Sequence, residues 1–318
     1  MPFRRALAAC ATLIALGTAP AQAVPFDILM TYVPAGINVP GPDGLTRQTT
    51  GFTERQVEIL GMAERFWETV ITGFSGRASS TITVIASMAP VDGRYRTAAY
   101  AGPRSAEWVD GLDATTGEAT RHMRPRTGAM AFDSDDFGTN FPNAASEQTF
   151  LSTAIHEISH VLGFGTLFGA NGLVGTTPDR YVGRAAVAAF NRTHATTLPA
   201  LPLDSRSGHW SECWVRGLDG RACLPADGSG RSGQHDDPEV LTPIIANGTV
   251  TISPATIAAF RDLGYLTIDP FSGITLPRVP PLVVAGGPVP SPVPLPAGAL
   301  LLLTALSGVV AIARGRRR

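Results

Sequence analysis

The sequence predicts an α+β domain built from a sheet-and-helix N-terminal half and an irregular C-terminal half. Three observations carry this. Two amphipathic helical stretches, near residues 53–72 and 149–163, flank a β-branched run at 81–86. Beyond Gly165 the chain is punctuated by Gly and Pro, with only short periodic stretches. The chain has 318 residues, 44% of them hydrophobic, and a formal net charge of −1, which suits a globular domain carrying targeting segments.

Residues 1–23 have the layout of a secretory signal. Arg4 and Arg5 precede an apolar stretch, and Ala21-Gln22-Ala23 supplies a small-residue cleavage site. Residues 24–51 read as an extended lead-in, with an edge strand around 26–32. Thr53 and Gln56 form a capping box, and Val57, Leu60, Ala63, Phe66, Trp67 and Val70 make one apolar helical face that Gly73 ends. The run 81–86 is the strongest strand, and weaker ones are expected at 97–101 and 129–132. Asp133, Asp135 and Asp136 follow; a solvated loop is the expectation there, with calcium binding the alternative.

Residues 149–165 form the next helix. Phe150, Leu151, Ala154, Ile155, Ile158, Val161 and Leu162 recur at three- and four-residue steps, and Gly163 and Gly165 stand where it would end. A short helix is expected at 184–191. Residues 209–237 read as loop, and a last helix opens at Ser253-Pro254 and stops at Gly264. The domain is expected to end at 268. A Pro-rich linker then covers 269–292, and a terminal segment covers 293–318.

Composition excludes nucleic acid as a partner. Lys is absent, and the arginines form no basic stripe. Export would leave Cys213 and Cys223 as the mature cysteines, and an even number at short separation favours a disulfide.

The chemistry is concentrated in His156-Glu157-Ile158-Ser159-His160. Four-residue spacing stacks both imidazoles on one side of a helix, where they can grip one Zn2+, and Glu157 is placed to act on a water. A catalytic zinc takes three protein ligands. The near position, 166, is Thr, and the histidines further on are His194, His209 and His235. Asp179 is a further candidate, as in aspartate-ligated zinc peptidases.

These residues, with Gly163-Phe164 and a distant His209-Trp210-Ser211-Glu212, resemble the leishmanolysin-type metzincins. Other pieces keep the order of that family: Phe52 to Gln56, Ala63 to Glu68, Tyr181-Val182-Gly183, Glu239 to Pro243, and Thr256 to Tyr265. The resemblance covers about 50–268. It implies a metzincin-like zinc peptidase domain with His209 as third ligand, Glu157 as general base and a polypeptide substrate. Leu241 stands where the family has the Met of its Met-turn, and no Met follows Met130. Two other readings are a catalytically degenerate zinc-binding surface or adhesion protein, and an aspartate-ligated peptidase using Asp179.

The terminal segment opens with Val293-Pro294-Leu295-Pro296-Ala297, continues as an apolar run to Ala313 and closes with Arg314, Arg316, Arg317 and Arg318. The run just reaches the lower limit for a membrane span, and the arginines would hold its end inside. It resembles the VPLPA-type sorting signals of Gram-negative bacteria. That resemblance implies a transient anchor in the inner membrane, a membrane processing enzyme as partner, and a cell-surface or extracellular destination.

Overall fold

The computed structural model describes residues 25–40, 45–75, 80–112, 117–138, 144–204, 206, 208–211, 239–243, 251–269 and 273–281. Residues 1–23, expected to be an export signal, lie outside them, as do Cys213, Cys223, His235 and the terminal apolar run. Packing divides the chain into a compact unit Met1–Val279 and a second unit Pro280–Arg318, of which only the first two residues are described. No helix among the described residues is long and apolar enough to cross a membrane. The fold is mixed α+β.

Strand β1 (Asp27–Tyr32) leads into a hairpin of β2 (Asn38–Pro40) and β3 (Thr46–Gln48). Helix α1 (Glu54–Val70) follows, then β4 (Ile71–Phe74) and β5 (Thr81–Ala89). The long strands β6 (Ala99–Leu112) and β7 (Ala119–Asp133) come next, then α2 (Ser134–Phe137) and α3 (Ala144–Val161). The remainder is β8 (Arg180–Tyr181), α4 (Arg184–His194), β9 (Leu201–Pro202), β10 (Thr251–Ile252), α5 (Pro254–Asp262), β11 (Tyr265–Thr267) and β12 (Ile274–Thr275).

The main sheet runs β1-β5-β7-β6. Its first three strands are parallel, and β6 is antiparallel at the edge. Ile82, Val84, Ala86 and Met88 on β5 are buried, whereas Ile85 on the opposite face is exposed, as the two-residue strand period requires. Gly128 on β7 lies where α3 crosses, and a Cβ there would run into the side chain of Val161. The missing side chain lets the helix lie close on the sheet.

Helix α1 opens with the expected capping box: Thr53 Oγ1 accepts from Gln56 N, and Gln56 Oε1 accepts from Thr53 N. It ends at Val70, three residues before Gly73, because Ile71 is already extended and enters β4. Two links join α1 to α3. The Trp67 indole N–H donates to Ile155 O at 2.9 Å, and Arg55 grips Glu147 with two hydrogen bonds of 3.1 and 2.8 Å. Both are buried or nearly so, where paired charge and satisfied donors hold two helices in one register.

Among its described residues the C-terminal half is short on regular structure but well anchored. Gly183, the N-cap of α4, supplies no side-chain cap, and Asp262 at the end of α5 does this instead. Its carboxylate accepts from Ala185 N, Ala186 N and the Tyr181 hydroxyl at 2.8, 3.0 and 2.9 Å. Ser253 caps α5 by accepting from Thr256 N, with Pro254 in the first turn.

Three features differ from the sequence reading. Strands β6 and β7 are 14 and 15 residues long, far beyond the two short strands expected. Gly102 and Pro103 interrupt the alternation of β6, and the register shifts between Pro103 and Ala106, which an edge strand tolerates. The acidic run after β7 holds backbone rather than forming an open loop. Asp133 accepts from Val91 N, Asp92 N and Asp135 N, and Asp136 from Tyr95 N. Finally, the stretch expected to be linker from 269 packs on the domain. Strand β12 pairs with β10, Leu276 is buried, and Gln148 bonds to both Pro277 O and Val279 N.

Candidate metal centre

Helix α3 carries His156 and His160 one turn apart, both buried. The apolar residues read from the sequence are its buried face: Phe150, Leu151, Ala154, Ile155 and Ile158 are fully enclosed. After Val161 the chain turns sharply through Gly163 and Gly165, at φ +108° and +70°. A Cβ on Gly165 would overlap the carbonyl of Gly208, so glycine at 165 lets the residue before His209 approach the helix end. Thr166 makes no approach of its own to the centre, and its hydroxyl donates to His160 O at 2.7 Å.

His209 arrives on the segment after β9. Leu203 bridges to Trp210, Asp204 N donates to His209 O, and Trp210 N donates to Leu241 O at 3.0 Å. The Trp210 ring is fully buried edge-on to Phe164 and Tyr181, at centroid distances of 5.2 Å each. An aromatic anchor thus fixes the position next to the third histidine.

The three Nε2 atoms converge, at 3.1 Å for His156–His160, 3.1 Å for His156–His209 and 3.0 Å for His160–His209. Each ring is held from behind through Nδ1. That of His156 lies 2.7 Å from Val240 O, that of His160 2.9 Å from Phe164 O, and that of His209 3.2 Å from an Asp204 carboxylate oxygen. Carbonyl and carboxylate oxygens only accept, so every Nδ1 carries its proton, which in a neutral ring leaves the Nε2 lone pair turned inward. Three lone pairs facing one point without a proton between them are repulsive unless a cation sits there. A tetrahedral ion with nitrogen bonds of about 2.0–2.1 Å spaces its ligands about 3.3–3.4 Å apart, within a few tenths of the spacing present.

Electrostatics agree. Burial pushes His156 well below its usual range, assisted by His160 and His209, and burial with His209 holds His160 at about 4. Both stay neutral at pH 7, as metal ligands must. Burial alone would raise Asp204, but hydrogen bonds from His209 and Gly208 outweigh it, keeping that carboxylate charged behind the third ring.

Glu157 is adjacent on α3, only 4% exposed, and its Oε2 has no hydrogen-bond partner among the described residues. Burial lifts its pKa to about 8. Leu241 is fully buried, and its carbonyl tethers Trp210. The carboxylate of Glu239, 2% exposed, accepts from Leu241 N at 3.1 Å, Ser253 N at 2.8 Å and the Thr256 hydroxyl at 3.0 Å.

Among the described residues His156, His160 and His209 are the one group of His, Cys, Asp or Glu able to hold a metal ion. Asp179 is not brought in. Its side chain is half-exposed beside Arg180. His194 stacks on Phe190 within α4. His235 and the Cys213–Cys223 pairing lie outside the described residues. Sequence reasoning missed Asp204 and the Glu239 network. A carboxylate five residues before His209 is a signal that could have been used; the carbonyls of Val240 and Phe164 carry none.

No family model matches the chain, and no curated protein is significantly similar to it.

Proposed function

We propose that this chain is an exported zinc-dependent endopeptidase of the leishmanolysin-like metzincin type. The observation that carries the reading is the convergence of three Nε2 lone pairs, each fixed from behind, beside a buried carboxylate with one unpartnered oxygen. Three converging histidine donors suit Zn2+, which His156, His160 and His209 would hold. Zinc, when bound, supplies Lewis acidity, which lowers the pKa of water and polarises a carbonyl.

Glu157 does the proton work. As a carboxylate it can take a proton from the attacking water, and burial, which raises its proton affinity, lets it hold that proton in a dry site. It then delivers that proton to the amine leaving group, which must be protonated to depart. His156 and His160 stay neutral, and all three rings are held from behind through Nδ1. The edge strand β6 passes near the end of α3, with Gly102 close to Thr166, and on this reading an extended polypeptide would lie along that edge.

The same reading takes residues 1–23 as an export signal. It takes 293–318 as a sorting tail, anchored in the inner membrane until a processing enzyme acts. The adhesion or surface-module reading rests on Leu241, but a buried Leu keeps the apolar floor that a Met would supply.

Casein cleavage by wild type and Glu157→Gln at matched zinc content tests the proposal. The variant should keep its metal and lose about 10²–10⁴-fold in rate, the usual worth of a general base. Equal rates in the two proteins would remove Glu157 from the chemistry. An inactive, zinc-loaded wild type would hand the case to the surface-module reading.

A further inference from the structure

Two of the three histidines lean on one turn, residues 239–242. Val240 O receives His156 Nδ1 at 2.7 Å, and Leu241 O receives Trp210 N, next to His209, at 3.0 Å. Successive carbonyls of a single turn therefore aim ligands that come from distant parts of the chain. An apolar side chain at 241 can fill the floor, but dispersion contacts have no direction and cannot fix how those carbonyls point.

The Glu239 carboxylate can. One oxygen accepts from Leu241 N; the other accepts from Ser253 N and the Thr256 hydroxyl at the start of α5. The Trp210 indole N–H donates to the same Thr256 hydroxyl oxygen at 2.7 Å. A closed ring results, from Trp210 N to Leu241, to Glu239, to Thr256 and back to the Trp210 ring. Both ends of the residue beside His209 are clamped by it. Leu241 N, Ser253 N and the Thr256 hydroxyl all donate to the carboxylate, and an α-helix N-terminus favours negative charge on it. An amide in its place would set an N–H against either Leu241 N–H or Ser253 N–H.

We propose that Glu239 is a positioning residue of the metal centre: its carboxylate, docked on the start of α5, orients the turn that aims His156 and His209 and so sets metal affinity. This rests on the metal reading above. The arrangement explains how Leu241 can replace a Met, since the turn is fixed by hydrogen bonds to the Glu239 carboxyl group rather than by the side chain at 241.

The test compares wild type, Glu239→Gln and a control, Glu147→Gln, which loses a buried carboxylate on the remote Arg55 link. Zn2+ affinity is read by chelator competition and ligand geometry by the visible spectrum of the Co2+ form. Both are taken where circular dichroism shows full folding. Glu239→Gln should bind Zn2+ about 10–100-fold more weakly, with shifted Co2+ bands, as loss of outer-shell support does. The control should melt lower and leave both readouts unchanged. Unchanged affinity and spectrum in Glu239→Gln overturn the proposal, whatever its melting temperature. Should that variant not fold, Thr256→Val cuts the Glu239–Trp210 link at constant shape. A several-fold affinity loss then supports the proposal, and none overturns it. A wild type that binds neither Zn2+ nor Co2+ overturns the metal reading itself, a different outcome from wild-type binding with an indifferent variant.

Discussion

His209 is the histidine of the three that depends most on a side-chain partner. It is reached by a loop rather than a helix, and its Nδ1 faces one Asp204 carboxylate oxygen while the other accepts from Gly208 N and His209 N. Asp204→Ala removes the support of both ring and backbone while leaving α3 alone. It should weaken Zn2+ binding by about 10–100-fold and leave far-UV circular dichroism unchanged. Undiminished affinity in competition with a chelator would show that the loop alone aims the ring. His156, Glu157 and His160 were legible in the sequence because helical spacing puts both histidines on one side of α3. His209 came through its His-Trp neighbourhood, not through spacing. Val240 and Glu239 were not legible, since support through backbone groups leaves no mark on side-chain pattern, whereas the Asp204 carboxylate five residues before His209 does leave one.

Among the elements, helices with caps and apolar faces were read closely. Thr53, Ser253 and the face of α3 each behave as propensity and period dictate. The long β6–β7 hairpin was not, because Gly102, Pro103, Gly111 and Gly128 break the alternation that announces a strand, while the register between strands is a tertiary property. Helix α1 also carries a cost that can be measured. Glu64 is half-buried near Glu68, whose carboxylate accepts from Ile28 N, and near Asp27. Burial first, then Glu68 and Asp27, raise its pKa from 4.5 to about 7 against the pull of Arg65. The unfolded chain releases this proton more readily than the folded one, so stability is full below about pH 4.5 and falls as pH rises towards 7. Glu64→Gln, which cannot ionise, should therefore gain stability at pH 8 but not at pH 4. Solvent screening keeps the gain under about 1 kcal/mol. Urea titrations at the two pH values decide, and an equal gain at both would assign the effect to packing instead.

At the scale of the molecule, the boundary of the domain is the point where sequence pattern and packing part company. Proline density from 269 onward marks a chain that forms no helix, and this reads as linker. Proline does not stop such a chain from docking, however. Ile274 lies opposite Ile252, Leu276 is 5% exposed, and Gln148 near the start of α3 closes two hydrogen bonds on Pro277 and Val279 at 3.1 and 3.0 Å. The helix that carries the histidines is thus tied at its outer end by the last described stretch of the compact unit. Two truncations of the chain separate the readings. One ending at Pro280 keeps every one of these contacts, and should fold with the stability and Zn2+ content of the longer protein. One ending at Ile268 loses a buried Leu, about 1.5–3 kcal/mol, and two hydrogen bonds of about 0.5–1.5 kcal/mol each. It should unfold at clearly lower urea, with a stability deficit of about 2–5 kcal/mol after partial relaxation. Equal midpoints for the two would return residues 269–279 to the linker. Loss of Zn2+ from the Pro280 form would instead make the segment beyond it part of the metal-binding fold.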